Sequence, residues 1–509
     1  MKKGKVLIVL LMAVCSVSVV FGSGKKEAVS VDENGRPKIS FMTIDFEGSP
    51  ITGDYAAQVI EKMESYTNTS VDFIWVGNDA YEEKISLTLA SPNTMPMIMA
   101  IPNLTMPIID AANAGAFWDL NEFINDSAKY PNLSKTNKNV NESITVGNKL
   151  IGIYRSRDIG RNGMGYRGDW AEKLGLSAPK TVEDVYNMMY QFRNGDPDGN
   201  GKKDTYGLAL CKYTGPFDIM QTWFGVGNSW VLENGKLVPI HQTKEYMNAL
   251  KWFRKMYEDD LVYSDWAVRD TSTWQDQVKK GECGMFIDVL DGARRCWDYF
   301  IDNKIPSVVD PSKTAYMVLT SNVAGKTLAT SGYSGFFAIT KTAKTKEQVE
   351  ACLHYLDKMC DNEMIILSSY GLEGPHWENQ GGFLVDIDSA DKISAKNYAA
   401  LNQTVAYITL SEPVDPPLKK SDTKIVEANM KKEAIQYAVF NPALTYLVNA
   451  PTYATNGGVL DEQLKAARTQ YICGQIDEAG LKSAFDKWSK QGGEAIIKEV
   501  NEQYQANKK

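Results

Sequence analysis

Ile39-Ser-Phe-Met-Thr-Ile44, Tyr55-Ala-Ala-Gln-Val-Ile-Glu-Lys-Met-Glu-Ser-Tyr66 and Val71-Asp-Phe-Ile-Trp-Val76 follow one another near the start of the chain, and their reading decides the fold class. The outer two pieces are rich in β-branched and aromatic residues, and 71–76 alternates with the period of a strand. The middle piece puts Ala57, Val59, Ile60 and Met63 on one apolar helical face. The same grammar recurs outward from this point. Helices are expected at 182–192 and 244–257, strands at 205–210, 284–288 and 335–339, and a helix at 346–359. Strand and helix alternating in this way is the pattern of an α/β protein. A chain of 509 residues points to two large domains rather than one.

A loop in the middle of the chain carries the most specific chemistry. Asp196-Pro-Asp-Gly-Asn-Gly-Lys-Lys-Asp204 places oxygen side chains at positions 1, 3, 5 and 9 of an EF-hand-type loop: Asp196, Asp198, Asn200 and Asp204. Gly201 holds position 6, where such a loop turns sharply, and Lys202 at position 7 offers its backbone carbonyl. Hard oxygen donors at this spacing suit one structural Ca²⁺. Position 12 is Gly207 where a sensor loop has a bidentate Glu, so another group or water closes the site. An acidic surface turn without metal is the other reading.

Lys2, Lys3 and Lys5 precede an apolar run over 6–21, and Gly22-Ser-Gly24 follows it. That is the layout of a signal peptide, residues 1–22, cleaved after Gly22. Cys15, after Leu11-Met-Ala-Val14, keeps a lipid anchor open, and an uncleaved membrane anchor is a third reading. The expected location is periplasmic or otherwise extracytoplasmic. No second long apolar run occurs. Cleavage removes three Lys and no acid, leaving 52 basic and 63 acidic residues, net −11. So acidic a protein is unsuited to nucleic acid. The remaining Cys residues (211, 283, 296, 352, 360 and 473) show no C-x-x-C spacing, and the three His are unpaired. Buried free thiols are expected, and neither zinc nor a disulfide framework.

Several dispersed motifs together resemble the extracellular solute-binding proteins of family 1, near the branch of large lipoproteins and alginate-binding proteins. They are Gly147-Asn-Lys-Leu-Ile-Gly-Ile153, Tyr166-Arg-Gly-Asp-Trp170, Lys173-Leu-Gly-Leu176 with Pro179-Lys-Thr181, and the loop region 192–207. Gly335-Phe-Phe-Ala-Ile-Thr340, Tyr370-Gly-Leu-Glu-Gly-Pro-His-Trp377 and a C-terminal stretch from Tyr471 to Tyr504 complete the set. Each is weak alone; their order is specific, and the match spans nearly all of the mature chain. The resemblance implies a two-lobed, type II periplasmic-binding-protein-like fold, each lobe a mostly parallel sheet flanked by helices, with the ligand cleft between them. It places the N-terminal lobe at 37–153 plus 313–366 and the C-terminal lobe at 154–312 plus 367–509. It further implies a monomer that closes on an oligosaccharide and delivers it to the permease subunits of an ABC transporter.

A sugar cleft needs aromatics for stacking, with amides and carboxylates beside them. Aromatics in loop-like or Gly-bounded contexts are the better candidates: Tyr81, Tyr166, Trp223, Trp230, Trp266, Trp274 and Trp377. Trp252 and Trp488 sit in amphipathic helices and read as packing. Asp288, ending the strand at 284–288, is the candidate carboxylate. Of 11 Arg in the chain, Arg155, Arg157, Arg161 and Arg167 crowd into one short Gly-rich segment. Two readings stay open for them: recognition of an acidic sugar such as a uronate, with Arg167 the first candidate, or ion pairing within the protein. No G-x-S-x-G, H-E-x-x-H or P-loop motif is present. A non-catalytic binding protein is expected. A secreted glycoside hydrolase, or a ligand sensor not coupled to transport, are the alternatives.

Overall fold

The computed structural model describes residues 29–45, 50–387, 396–409 and 414–506. The expected leader, residues 1–22 with Cys15, lies outside them. The first lobe opens with β1 (Lys38–Asp45), α1 (Ala56–Thr67), β2 (Ser70–Gly77), α2 (Tyr81–Leu89), β3 (Ile98–Ile101) and α3 (Met106–Asn113), and reaches β4 (Gly152–Ser156). The chain then crosses to β5 (Asn162–Arg167), α4 (Val182–Asn194), β6 (Tyr206–Leu208), α5 (Gly215–Thr222), the hairpin β7 (Trp230–Glu233) and β8 (Lys236–Pro239), and α6 (Lys244–Glu258). The second lobe continues through β9 (Cys283–Val289), α7 (Leu290–Asp302) and β10 (Met317–Thr320). The path returns through β11 (Thr327–Leu328) to β12 (Tyr333–Ile339), α8 (Lys346–Lys358) and α9 (Asn362–Tyr370). It ends with α10 (Asp422–Ala434), β13 (Ala438–Val439), α11 (Pro451–Ile472), α12 (Glu478–Trp488) and α13 (Glu494–Ala506).

Local signals explain the boundaries. Thr181 with Asp184, and Thr345 with Gln348, form capping boxes that start α4 and α8. Asn68 takes a left-handed conformation and ends α1. The inward face of α1 is Val59, Met63 and Thr67; Ala57, read onto that face from sequence, is exposed. Ile39, Phe41, Met42, Ile98, Phe337 and Leu353 join one core in the first lobe. Met164, Phe192, Leu208, Phe253 and Ile287 join a second core in the other.

The first sheet runs β2-β1-β3-β12-β4 and the second β10-β5-β9-β6. Both are mixed, not mostly parallel. In the first, β1 pairs in parallel with β2 and β3, but β12 is antiparallel to β3 and β4. In the second only β9 and β6 are parallel. The strands that break the parallel run are those that flank an interlobe crossing. No crossover helix of the same lobe feeds them, so the βαβ rule does not set their direction.

The expected lobe boundaries shift at two places. Met317–Thr320 pairs within the second sheet, and Leu401, Val405 and Ala406 belong to the first core. Two crossings, 157–161 and 321–332, are hydrogen-bonded to one another. Arg157 N donates to Gly332 O at 2.9 Å, and Thr330 N to Ile159 O at 3.1 Å. The Thr330 hydroxyl donates to Asp158 O at 2.8 Å. The described Cys residues are all free thiols, five of them buried. No helix among the described residues is long and apolar enough to cross a membrane.

Candidate functional site

The four arginines of the 155–167 segment meet four different environments. Arg167, on β5, is 4% exposed and holds Asp169 through Nε and Nη2, both at 2.8 Å. Its guanidinium stacks over Trp170 and Phe300 at 4.7 and 4.9 Å. It is a core ion pair, so the expectation that it meets ligand is corrected. Arg161 holds Asp291 through the same two atoms at 2.9 and 3.0 Å. Arg155, at the end of β4, donates to the backbone carbonyls of Asn402 at 3.0 Å and Val405 at 3.4 Å. Burial, with Arg157 beside it, lowers its pKa to about 10. Arg157 is exposed, and no carboxylate pairs with it among the described residues.

Arg155 and Arg157 line two cavities, of about 500 and about 560 Å³, that share these residues and Gln403. Asn78, Glu82, Asn103 and Ser334 line the first. The second has Ser369, Asn402 and Tyr407 on one side and Asp291 and Lys431 on the other. Residues of both lobes therefore face one cleft. Its walls are amides, hydroxyls and arginines, the set that hydrogen-bonds sugar hydroxyls and carboxylates.

The pKa values of two carboxylates near the end of β9 shift in opposite directions. Burial pushes Asp288 up to about 6. Against the effect of burial, Arg161 first, then Lys431 and Arg295, pull Asp291 down to about 2. Tyr213, 49% exposed, sits edge-on to Trp274 at 5.9 Å and feels the Asp288 charge. Its context, Lys212-Tyr-Thr-Gly-Pro216, meets the loop criterion applied to the other aromatics, so the sequence held a usable signal. Asn402, Gln403, Ser369 and Lys431 carried none. They reach the cleft only through long-range packing.

The expected stacking aromatics are nearly all interior. Trp266 and Trp223 lie in the second core, as does Tyr166 on β5. Trp274 donates its indole N–H to Ala209 O at 2.9 Å, and Trp377 donates to Gly371 O at 3.1 Å. Trp230 packs with Trp488 under the hairpin. Tyr81 borders the first cavity, but its hydroxyl is used by Ala100 O at 2.7 Å and Met42 O at 3.2 Å. Gly-bounded sequence marks a turn; it does not say which way the ring points.

The acidic loop follows α4. Asp196, Gly199 and Gly201 all take positive φ. Gly201 N donates to Asp196 Oδ2 at 3.1 Å. The Asn200 amide lies between Asp198, at 2.7 Å, and Asp204, at 3.2 Å. Burial, then the neighbouring Asp196 and Asp204, raise the pKa of Asp198. Asp196 Oδ1 is buried without a partner. Gly207 explains the departure at position 12: a Cβ there would lie 2.6 Å from Met189 Cβ, so no Glu fits. Arg193 anchors the exit of the loop, donating to Lys203 O and Thr205 O at 3.0 Å each. In this conformation no three acidic, His or Cys groups among the described residues are gathered closely enough to hold a metal ion.

Comparison with known proteins places this architecture. The family model described as bacterial extracellular solute-binding protein matches residues 48–356. Lipoprotein LipO of Bacillus subtilis is 34% identical over 475 residues, covering 90% of this chain and 91% of that one. The B. subtilis protein named polygalacturonan/rhamnogalacturonan-binding protein YtcQ is 27% identical, with 99% of each chain covered. Among solved structures, the alginate-binding protein AlgQ2 without calcium ion superposes with a TM-score of 0.64 at 16% identity, covering 94% of this chain and 100% of that one. An EF-hand mutant of the Streptococcus pneumoniae substrate-binding protein FusA gives 0.62 at 16% identity, over 92% and 99%. The two mixed sheets with a polar cleft between their lobes are thus the fold of those proteins, and the chain belongs to the bacterial extracellular solute-binding protein family.

Proposed function

We propose that this chain is the extracytoplasmic, non-catalytic solute-binding component of an ABC importer, and that its ligand is an oligosaccharide carrying carboxylate groups. The observation that carries the reading is the pair Arg155 and Arg157, which faces the interlobe cavities without a carboxylate partner while Arg161 and Arg167 are both paired. An unpaired guanidinium at a water-filled cleft is a ready receptor for a uronate. The name of YtcQ, a polygalacturonan-binding relative, is consistent with this. Asn402, Gln403, Ser369 and Tyr407 on one wall and Asp291 and Lys431 on the other let one ligand touch both lobes, which is the requirement for ligand-driven closure. We take the working form to be a monomer that hands its ligand to membrane permease subunits. Hydrolysis is a poor fit, because both oxygens of Asp291 are committed to Arg161, with Arg295 on Oδ2.

We also propose that Asp196, Asp198, Asn200, the Lys202 carbonyl and Asp204 hold one Ca²⁺. The unpartnered Asp196 oxygen and the carboxylates gathered around an amide fit a cation. Bound there, the ion would neutralise the acidic loop and fix the connection from α4 to β6.

Calorimetry with a galacturonate trisaccharide and its neutral methyl ester tests the ligand class. The acid is expected to bind at least about tenfold tighter, since each charge-assisted hydrogen bond is worth about 1.5–3 kcal/mol. Equal affinity, or preference for the ester, overturns the acidic reading and leaves the solute-binding role standing.

A further inference from the structure

We infer that the second lobe contains a separate chamber for a small organic carboxylate, built on the open fork of Arg468. The chamber measures about 290 Å³ and is walled by α5, the β7–β8 hairpin, α11 and α13. It shares no lining residue with the two cleft cavities. Arg468 is buried on α11, and its Nη1 donates to Asp218 Oδ1 at 2.6 Å. The Tyr246 hydroxyl interacts with the same guanidinium, yet no group is in hydrogen-bonding position for Nε or Nη2. Those two atoms form the edge with which Arg161 grips Asp291 and Arg167 grips Asp169. In Arg468 no carboxylate among the described residues meets that edge. A buried cation with two of its three nitrogens unused is costly, and a carboxylate is the planar acceptor that matches both.

The rest of the wall narrows the ligand. Gln221 Oε1, His241 Nε2 and Trp488 Nε1 are also buried without partners and line the same space. Burial lowers the His241 pKa to about 4, so the imidazole is neutral and adds no charge at neutral pH. Trp230, Leu444, Leu460 and Leu464 supply apolar surface. The wall's charges limit the ligand to one negative charge: Lys465, the other cation lining it, is paired with Glu462. Asp218 is already engaged by Arg468. Burial raises the pKa of Asp461, which accepts from the Tyr453 hydroxyl at 2.8 Å. A dianion such as phosphate would meet both acids; a monocarboxylate with a hydrophobic body meets the fork and the leucines.

Calorimetry on the mature chain with benzoate, and with benzamide as its neutral isostere, tests this. Benzoate is expected to bind one site with Kd of about 1 mM or tighter, and benzamide at least about tenfold more weakly. Leu464→Trp fills the chamber while leaving Arg468 and Asp218 in the chain and should abolish benzoate binding. Arg468→Lys keeps the charge, loses the fork and should weaken it at least about tenfold. Arg157→Ala, in the cleft, should leave it unchanged. Failure of benzoate to bind, equal binding of benzamide, or binding that survives Leu464→Trp overturns the chamber and leaves it a space for water. Loss of binding in Arg157→Ala alone assigns the carboxylate to the cleft instead.

Discussion

Arg157, in the first interlobe crossing, and Arg167, at the end of β5, lie ten residues apart, and their surroundings are opposite. Arg167 closes against Asp169 between two aromatic faces and serves the core. Arg157 is left open to the cleft and, among the described residues, forms no ion pair, although Asp158 and Asp291 line the same cavity. The same side chain is therefore structural where the protein supplies its counter-ion and available for ligand where it does not. The presence of a carboxylate two residues on, not the arginine itself, separates the cases.

The largest effect should come from breaking the core member. Arg167→Leu leaves Asp169, which is fully buried, with only the Val308 N–H at 3.2 Å. The expected cost is about 3–5 kcal/mol by chemical denaturation. Arg157→Leu should cost less than about 0.5 kcal/mol. Similar losses for the two would erase the contrast. The acidic loop comes next. Exhaustive chelation should lower the melting temperature by an amount equivalent to about 3 kcal/mol if calcium is present at a hundredfold over its Kd. An unchanged melting curve, with no calcium by elemental analysis, removes the ion.

Third in size is ligand affinity. Arg157→Lys keeps the charge and loses the planar fork, so a galacturonate trisaccharide should weaken by about 1.5–3 kcal/mol in calorimetry while stability stays put. The smallest effect sharpens a contrast between two acids near the end of β9, of which Asp291 lines the cleft. Burial raises the Asp288 pKa to about 6, against 3.8 for a free aspartate. A raised carboxylate pKa means the charged form is disfavoured in the folded state. Its penalty grows as pH rises through that window and is complete above it. Asp288→Asn should therefore stabilise the protein by about 1–2 kcal/mol at neutral pH and by nothing near pH 3. Asp291, depressed to about 2, behaves oppositely: its stabilisation is present above the ordinary carboxylate range and is lost as pH falls toward 2.

Most of the fold was legible. The period-2 and period-3.6 patterns at 39–44, 55–66 and 71–76 became β1, α1 and β2 within a residue or so at each end, because α1 buries Val59 and Met63 and β1 and β2 pair along their full length. Strand direction was not legible. β12 pairs antiparallel with β3 although its sequence looks like any buried strand. Direction depends on where the chain enters the sheet, and the crossings decide that. The cleft was half legible. The arginine cluster marked the right segment, but only the fold shows that Asp169 and Asp291 claim two of the four. Trp223, Trp266 and Trp274 failed as candidates because large rings are the cheapest way to fill a lobe of this size, whatever the surrounding loop chemistry.

Arg193 has a consequence for how the acidic loop tolerates change. It grips the carbonyls of Lys203 and Thr205 and pairs with Asp260, while the Thr205 hydroxyl donates to Phe192 O at 2.7 Å. Both ends of the loop are therefore held by protein groups alone, and the stretch from Gly199 to Lys202 is exposed outside that clamp. The tip is a port into which a peptide epitope or a small reporter domain can be spliced: α4 and β6 stay joined, and the insertion costs the proposed calcium site rather than the lobe.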